Sequence, residues 1–170
     1  MAHRADPDPS DPQLVAGAHQ VLDTQHYAVL GTSAPDGPPR VSPVYFTHHR
    51  YSTLYWVSSP HATHSVNVRR TPAATLVVFD SSLPPARTRA VYLTGSAIEV
   101  PERELTDSCT VAFANLSQGA VPFAPEQLRD AASLRLYRFT ADLAEYHVRG
   151  TDPLWGTGLD RRVPVTLDLG

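Results

Sequence analysis

From position 27 to position 149 the sequence falls into brief apolar runs, rich in valine, leucine and aromatic residues and separated by proline- or glycine-bearing turns. Their brevity and their β-branched and aromatic content favour the pleated surface of a strand over a helix. The run 27–33 closes on Ala-Pro-Asp-Gly-Pro-Pro at 34–39, where the prolines fix φ and the glycine accepts a positive φ. Residues 40–49 read as the return strand of that hairpin. Pro43 cannot donate to a ladder, which marks an edge, a bulge or a ligand-facing stretch. Residues 54–58, 73–80, 90–100 (interrupted at Gly95), 134–140 and 143–149 supply the remaining strands, and 162–167 a short extended tail. Strands joined in succession by tight turns favour an antiparallel sheet, and short ones tend to close into a barrel.

Helices punctuate this pattern. Leu14, Val15, Ala18, Val21 and Leu22 recur at helical spacing. Ser59 as N-cap and Pro60 as first helical residue predict a helix over 60–70, whose amide-rich start faces back to the preceding strand end. Pro101 opens a further helix to about 116, and Pro125 one to 132. Residues 1–12, rich in proline and aspartate, read as a flexible leader, and 13–170 as a single domain. Residues 150–158 read as a surface loop.

Composition narrows the function. With 170 residues and 42% hydrophobic content the chain is the size of one domain with a real core. No apolar run approaches the ~20 residues needed to span a bilayer, so no membrane is expected. A net charge of −3 without a basic block argues against nucleic acid. All 14 basic residues are arginine, so an anionic ligand must be held by arginine, histidine, hydroxyls or backbone amides. The single cysteine, Cys109, cannot close an internal disulfide, which agrees with a cytoplasmic location, and reads as a small buried hydrophobe. Among His48, His49, His61, His64 and His147 the only helix-spaced pair is His61/His64, with no carboxylate or cysteine at a ligand spacing, so no metal site is expected. Tyr92 and Tyr137 read as barrel-wall aromatics. Serine-hydrolase, P-loop and zinc-protease motifs do not occur in the sequence.

The junction 56–70, Trp-Val-Ser-Ser-Pro running into His-Ala-Thr-His-Ser-Val-Asn-Val-Arg-Arg, is the most informative stretch. Free amides at a helix start and the hydroxyls of Ser58, Ser59, Thr63 and Ser65 make a phosphate site. The alternative is an ordinary capped helix that binds nothing.

In order, "DGPPRVSPVYF" (36–46), "LYWVSSPHATHSVNVRRTPAATLVVFD" (54–80) and "AVYLTGSAIEV" (90–100) resemble the pyridoxamine 5'-phosphate oxidase-like flavin-binding split-barrel family. The resemblance implies an α+β, mainly β fold: a six-stranded antiparallel split β-barrel (Greek key) with flanking helices. It also implies non-covalent FMN at the interface of a homodimer and hydride transfer to or from a small organic substrate. Arg40 and Ser42 match positions that touch the phosphate or ribityl chain. Val41, Pro43 and Val44 offer backbone contacts to the ring, and Val57, Ser58 and Ser59 match strand-end contacts. His64 falls where many members carry a phosphate-binding lysine, followed by Ser65 and Asn67. Arg89 lies near the place where the oxidase sets a polar residue against the flavin, and Trp155 and Arg162 match the C-terminal region that reaches the substrate and flavin of the neighbouring subunit. The oxidase's substrate-phosphate signature is not evident, so pyridoxamine phosphate is not the expected substrate. Relatives of this fold also use a deazaflavin, or hold flavin or haem without turnover, and both remain alternatives.

Overall fold

The computed structural model describes residues 7–117 and 119–168. Residues 1–6 of the expected leader lie outside them. Helix α1, Pro12–Thr24, starts where the Asp11 carboxylate accepts the Gln13 and Leu14 amides, with proline at the first position. Its apolar stripe is buried as the spacing predicts: Leu14, Val15, Ala18, Val21 and Leu22.

The strands are β1 (Tyr27–Ser33), β2 (Pro39–Tyr45), β3 (Thr47–His49), β4 (Thr53–Ser58), β5 (Ala73–Phe79), β6 (Ala90–Glu99), β7 (Arg135–Val148) and β8 (Arg161–Pro164). They form one sheet in the order β2-β1-β5-β6-β7-β4-β3, with β8 also paired to β7. The pairings are antiparallel. The result is a half-barrel with flanking helices, of the expected class, although it has eight strands in place of six.

Two local features redraw the expected strand boundaries. The return strand predicted over 40–49 breaks at Phe46, whose amide donates to the His26 carbonyl, so β3 leaves β2 to pair with β4. The two strands predicted over 134–140 and 143–149 are one. Thr94 faces Leu143 while Gly95 faces Ala141, so Asp142 is an extra residue that bends β7 without ending it. The bend divides the far edge of β7: its first half pairs with β4 and its last residues with β8.

The main core fills the concave side of the sheet under α1, with Leu14, Leu30, Leu54, Leu76, Val78 and Phe139 almost fully buried. Trp56 stacks on Tyr137, ring centroids 5.4 Å apart, and Tyr137 is a buried wall aromatic as predicted. A second cluster packs helix α3 (Leu105–Ala112) against β4 and β7 through Tyr55, Leu105, Cys109, Leu128 and Leu136. Burial pushes the Cys109 thiol pKa up, so this thiol is a packing group.

The predicted helices over 101–116 and 125–132 are shorter than expected. A 3-10 turn at Glu102–Glu104 leads into α3, which stops at Ala112, and Pro125–Leu128 is a single 3-10 turn. Asp130 then takes a positive φ of 51°, and the Arg135 guanidinium collects the carbonyls of Asp130, Ala132 and Leu134. A side chain therefore satisfies acceptors that another helical turn would have satisfied.

At one corner the two ends of the described chain meet. The Thr166 amide donates to the Pro9 carbonyl at 2.8 Å, and His19 Nε2 hydrogen-bonds the Leu167 carbonyl at 2.8 Å. The His19 ring stacks on Tyr51 (centroids 3.5 Å apart), and Tyr51 stacks on His48 (4.7 Å). Arg50 reaches Asp168 at 2.9 Å.

Candidate cofactor site

Side chains alternate across a strand, so the β1–β2 register decides which residues share a face. Thr32 lies opposite Arg40, Leu30 opposite Ser42, and Ala28 opposite Val44. Because Leu30 and Ala28 are core residues, Arg40 and Ser42 belong to the inner face. Val41 and Pro43 belong to the outer face with Gly31 and Val29. β2 is the terminal strand, so the backbone groups of alternate residues along its outer edge are free of ladder partners. Pro43 is thus an edge proline.

Helix α2 (Thr63–Arg70) closes this end of the inner face, packing on β1 and touching β2. Two side-chain bonds fix it. Asn67 Nδ2 donates to Thr32 Oγ1 at 3.1 Å, both residues being buried, and His64 Nε2 lies 2.9 Å from Ser58 Oγ at the end of β4. Arg40, Ser42 and Thr32 therefore share the inner face of β1 and β2, where Asn67 of α2 bonds Thr32, while Ser58 and His64 join β4 to the same helix.

The helix begins three residues later than predicted, at Thr63 with Ala62 as N-cap and no side-chain cap. Ser59 instead caps a turn, its hydroxyl accepting the His61 amide at 3.2 Å and its carbonyl the Ala62 amide at 3.1 Å. Ser65 is fully buried, with its hydroxyl beside that of Tyr137, and faces the core. Arg69 is held by the Pro60 carbonyl at 2.9 Å and by Glu99 at 3.9 Å.

The other predicted residues lie elsewhere in the chain. Arg89, on the β5–β6 connection, donates to the Gln20 side chain on α1. Trp155 is half-buried against the core, its amide donating to Asp152. Arg162 covers the Tyr92 ring, 3.7 Å from its centroid.

Sequence reasoning missed Thr32 and Tyr45. Thr32 was legible from alternation along 27–33, which puts it on the face of Leu30. The Tyr45 hydroxyl lies 2.6 Å from Ser117 Oγ and ties β2 to the segment after α3. Beside this tie a cavity of about 460 Å³ opens between Tyr45, Tyr55, Val57, Phe113, Phe123 and Leu134. Its wall is mostly apolar, and Val57 directly precedes Ser58.

Two effects follow from this packing. Asn67→Ala removes a buried donor and strands the Thr32 hydroxyl, and is expected to cost about 1–2 kcal/mol of stability, read from the urea midpoint. Burial lowers the His64 pKa below its ordinary value, so the folded state prefers the neutral ring. The folded pKa lies below the unfolded one, near 6.5, so this contribution is complete above that pH and is lost as pH falls towards the folded value. The urea midpoint should therefore drop further between pH 7.5 and 5.5 in the wild type than in His64→Gln; equal drops would refute the assignment.

The sequence profile of pyridoxamine 5'-phosphate oxidase matches residues 15–148. The chain belongs to this family. No curated protein sequence matches it. Among solved structures of the family's fold, a haem-binding protein from Mycobacterium smegmatis superposes with a TM-score of 0.65 at 16% identity, over 91% of this chain and 59% of that one. The chain thus spans less than two-thirds of that relative. General stress protein 26 from Bacillus anthracis gives 0.57 at 18% identity, over 79% and 93%. A haem storage protein from Vibrio cholerae gives 0.56 at 16%, over 76% and 90%. At these identities the likeness establishes the split-barrel fold. In this family member no described helix is long and apolar enough to cross a membrane.

Proposed function

We propose that this protein is an FMN-dependent oxidoreductase that acts on a small organic substrate by hydride transfer, as a cytoplasmic homodimer. The observation that carries the reading is the donor set between β1, β2, β4 and α2. Among the described residues Arg40 has no carboxylate partner, and Ser42, Ser58, His64 and Asn67 add donors without an acid among them. Such a set fits a phosphate monoester. Arg40 and Ser42 would hold the phosphate end, with His64 and Ser58 at the α2 side and the free edge of β2 along the ring. Bound flavin supplies two-electron redox chemistry, and the protein supplies position and electrostatics. The neutral His64 ring acts as a hydrogen-bonding group, not as a fixed cation. The apolar cavity beside Val57 suits a largely apolar substrate.

The outer face of β1, β2, β5 and β6 supports dimerisation. Tyr27, Val41, Phe79 and Ile98 are 64%, 74%, 42% and 36% exposed there, an apolar surface of the kind that partners cover. Tyr92 shares that face, since it pairs with Val77 beside Phe79, and Arg162 lies over it. A second subunit packed on this face would carry Arg162 and Trp155 towards the first subunit's β2.

The test is an absorption spectrum of the purified protein before and after adding FMN, a deazaflavin or hemin, followed by reduction and reoxidation with candidate substrates. A saturable FMN band that a reductant bleaches and a substrate restores supports the reading. Binding of the deazaflavin alone would transfer it to that cofactor. Haem is the second reading, favoured by the haem-binding and haem-storage relatives. A Soret band with hemin and no flavin binding would select it.

A further inference from the structure

We propose that a second cavity, at the end of the barrel beside α1, is a binding site for a small polyanion. It measures about 620 Å³ and lies between α1, the β5–β6 connection, the end of β7 and the loop after it. A space of this size takes a small metabolite rather than a lone ion. Three arginines line it: Arg87 and Arg89 from the β5–β6 connection and Arg149 from just after β7.

Their bonding sets them apart from the ion-paired arginines of the chain. Arg50, Arg69, Arg103, Arg129, Arg135 and Arg138 each lie within 4.0 Å of a carboxylate. Among the described residues, the three cavity arginines have no ion-pair partner at that range. Arg89 donates to the neutral Gln20 amide and Arg149 to the Ala86 carbonyl. Arg87 is exposed with no side-chain bond.

The two carboxylates in the wall are turned to local work. Asp80 accepts the Ser82 amide at 2.9 Å and its hydroxyl at 2.6 Å, while Asp152 accepts the Leu154 and Trp155 amides at 2.9 Å each. Asp80 still feels the charge of Arg89, yet neither acid neutralises a guanidinium by direct contact. Three planar forks on one cavity suit phosphate or carboxylate oxygens, which they can engage in bidentate pairs. Thr24 and Thr88 also line the wall, their hydroxyls donating to the Gln20 and Pro85 carbonyls.

The test is calorimetric titration of the full chain with inorganic pyrophosphate and, separately, citrate. The proteins are the wild type, Arg40→Ala, Arg87→Ser and Arg87→Ser/Arg149→Ser. At least one probe should bind the wild type and Arg40→Ala alike, and the double variant should bind it about tenfold more weakly or not at all. Tighter pyrophosphate assigns a phosphorylated ligand, and tighter citrate a polycarboxylate. The proposal is overturned if neither probe binds, if Arg40→Ala abolishes binding, which would place the anion at the β2 site, or if the double variant binds normally. Should the double variant not fold, Arg87→Ser decides, because that side chain supports nothing in the fold; unchanged affinity there overturns the proposal.

Discussion

Gly95→Ala is expected to lower the unfolding free energy by about 3 kcal/mol or more, the upper range for forcing an atom into a packed site. A Cβ at this position would lie 2.0 Å from the Thr140 carbonyl oxygen and 3.0 Å from both Ala141 Cα and Phe139 Cζ. The first two are backbone atoms of β7 at its bulge, so no side-chain rotation relieves the clash. Relief requires β6 and β7 to separate where β7 changes partners from β4 to β8. Chemical denaturation checks the effect, with Ser96→Ala, the exposed neighbour, as a control expected within about 0.5 kcal/mol of wild type. A Gly95→Ala protein as stable as wild type would show that the bulge does not need the close approach.

Arg40→Ala is expected to weaken FMN binding by ~1.5–3 kcal/mol, roughly a tenfold to hundredfold rise in Kd, with little change in stability. Arg40 is exposed on the terminal strand and has no acid partner among the described residues, so its removal costs the fold nothing beyond surface effects. Arg40→Lys keeps the charge but not the planar fork and should recover part of the affinity. Arg69→Ala is the control, since that guanidinium is already engaged by Pro60 and Glu99. Fluorescence titration of FMN reads all three. Arg40→Ala binding as tightly as wild type would remove β2 from the phosphate site.

The strand succession was legible because proline and glycine mark turns locally, whatever the rest of the chain does. Helix α1 was legible for a similar reason: its stripe from Leu14 to Leu22 recurs within one stretch of sequence, although its cap at Asp11 fell in the stretch read as leader. What escaped was decided by distant partners. The unity of β7 depends on the approach of Gly95 to Thr140, which periodicity along β7 cannot reveal. The shortening of the helix after Pro125 depends on Arg135 collecting the loop's carbonyls.

The site divides in the same way. The Ser58-to-Asn67 junction was readable as a donor-rich strand end meeting a helix, yet Ser59 caps a turn and Ser65 faces the core, because Ser59-Pro60-His61 forms a turn before α2 begins. Thr32, the buried partner of Asn67, was within reach of simple alternation. The placement of Arg89, Trp155 and Arg162 away from Arg40 rests on contacts with Gln20, Asp152 and Tyr92, which sequence order does not encode.

The corner where Thr166 meets Pro9 and Leu167 meets His19 also bears on how firmly α1 is seated. The stacked rings of His19, Tyr51 and His48 tie α1 to the turn between β3 and β4, and the strap at Thr166 and Leu167 ties it to the segment after β8. Without that strap, α1 would be held by the rings and by its buried apolar stripe alone.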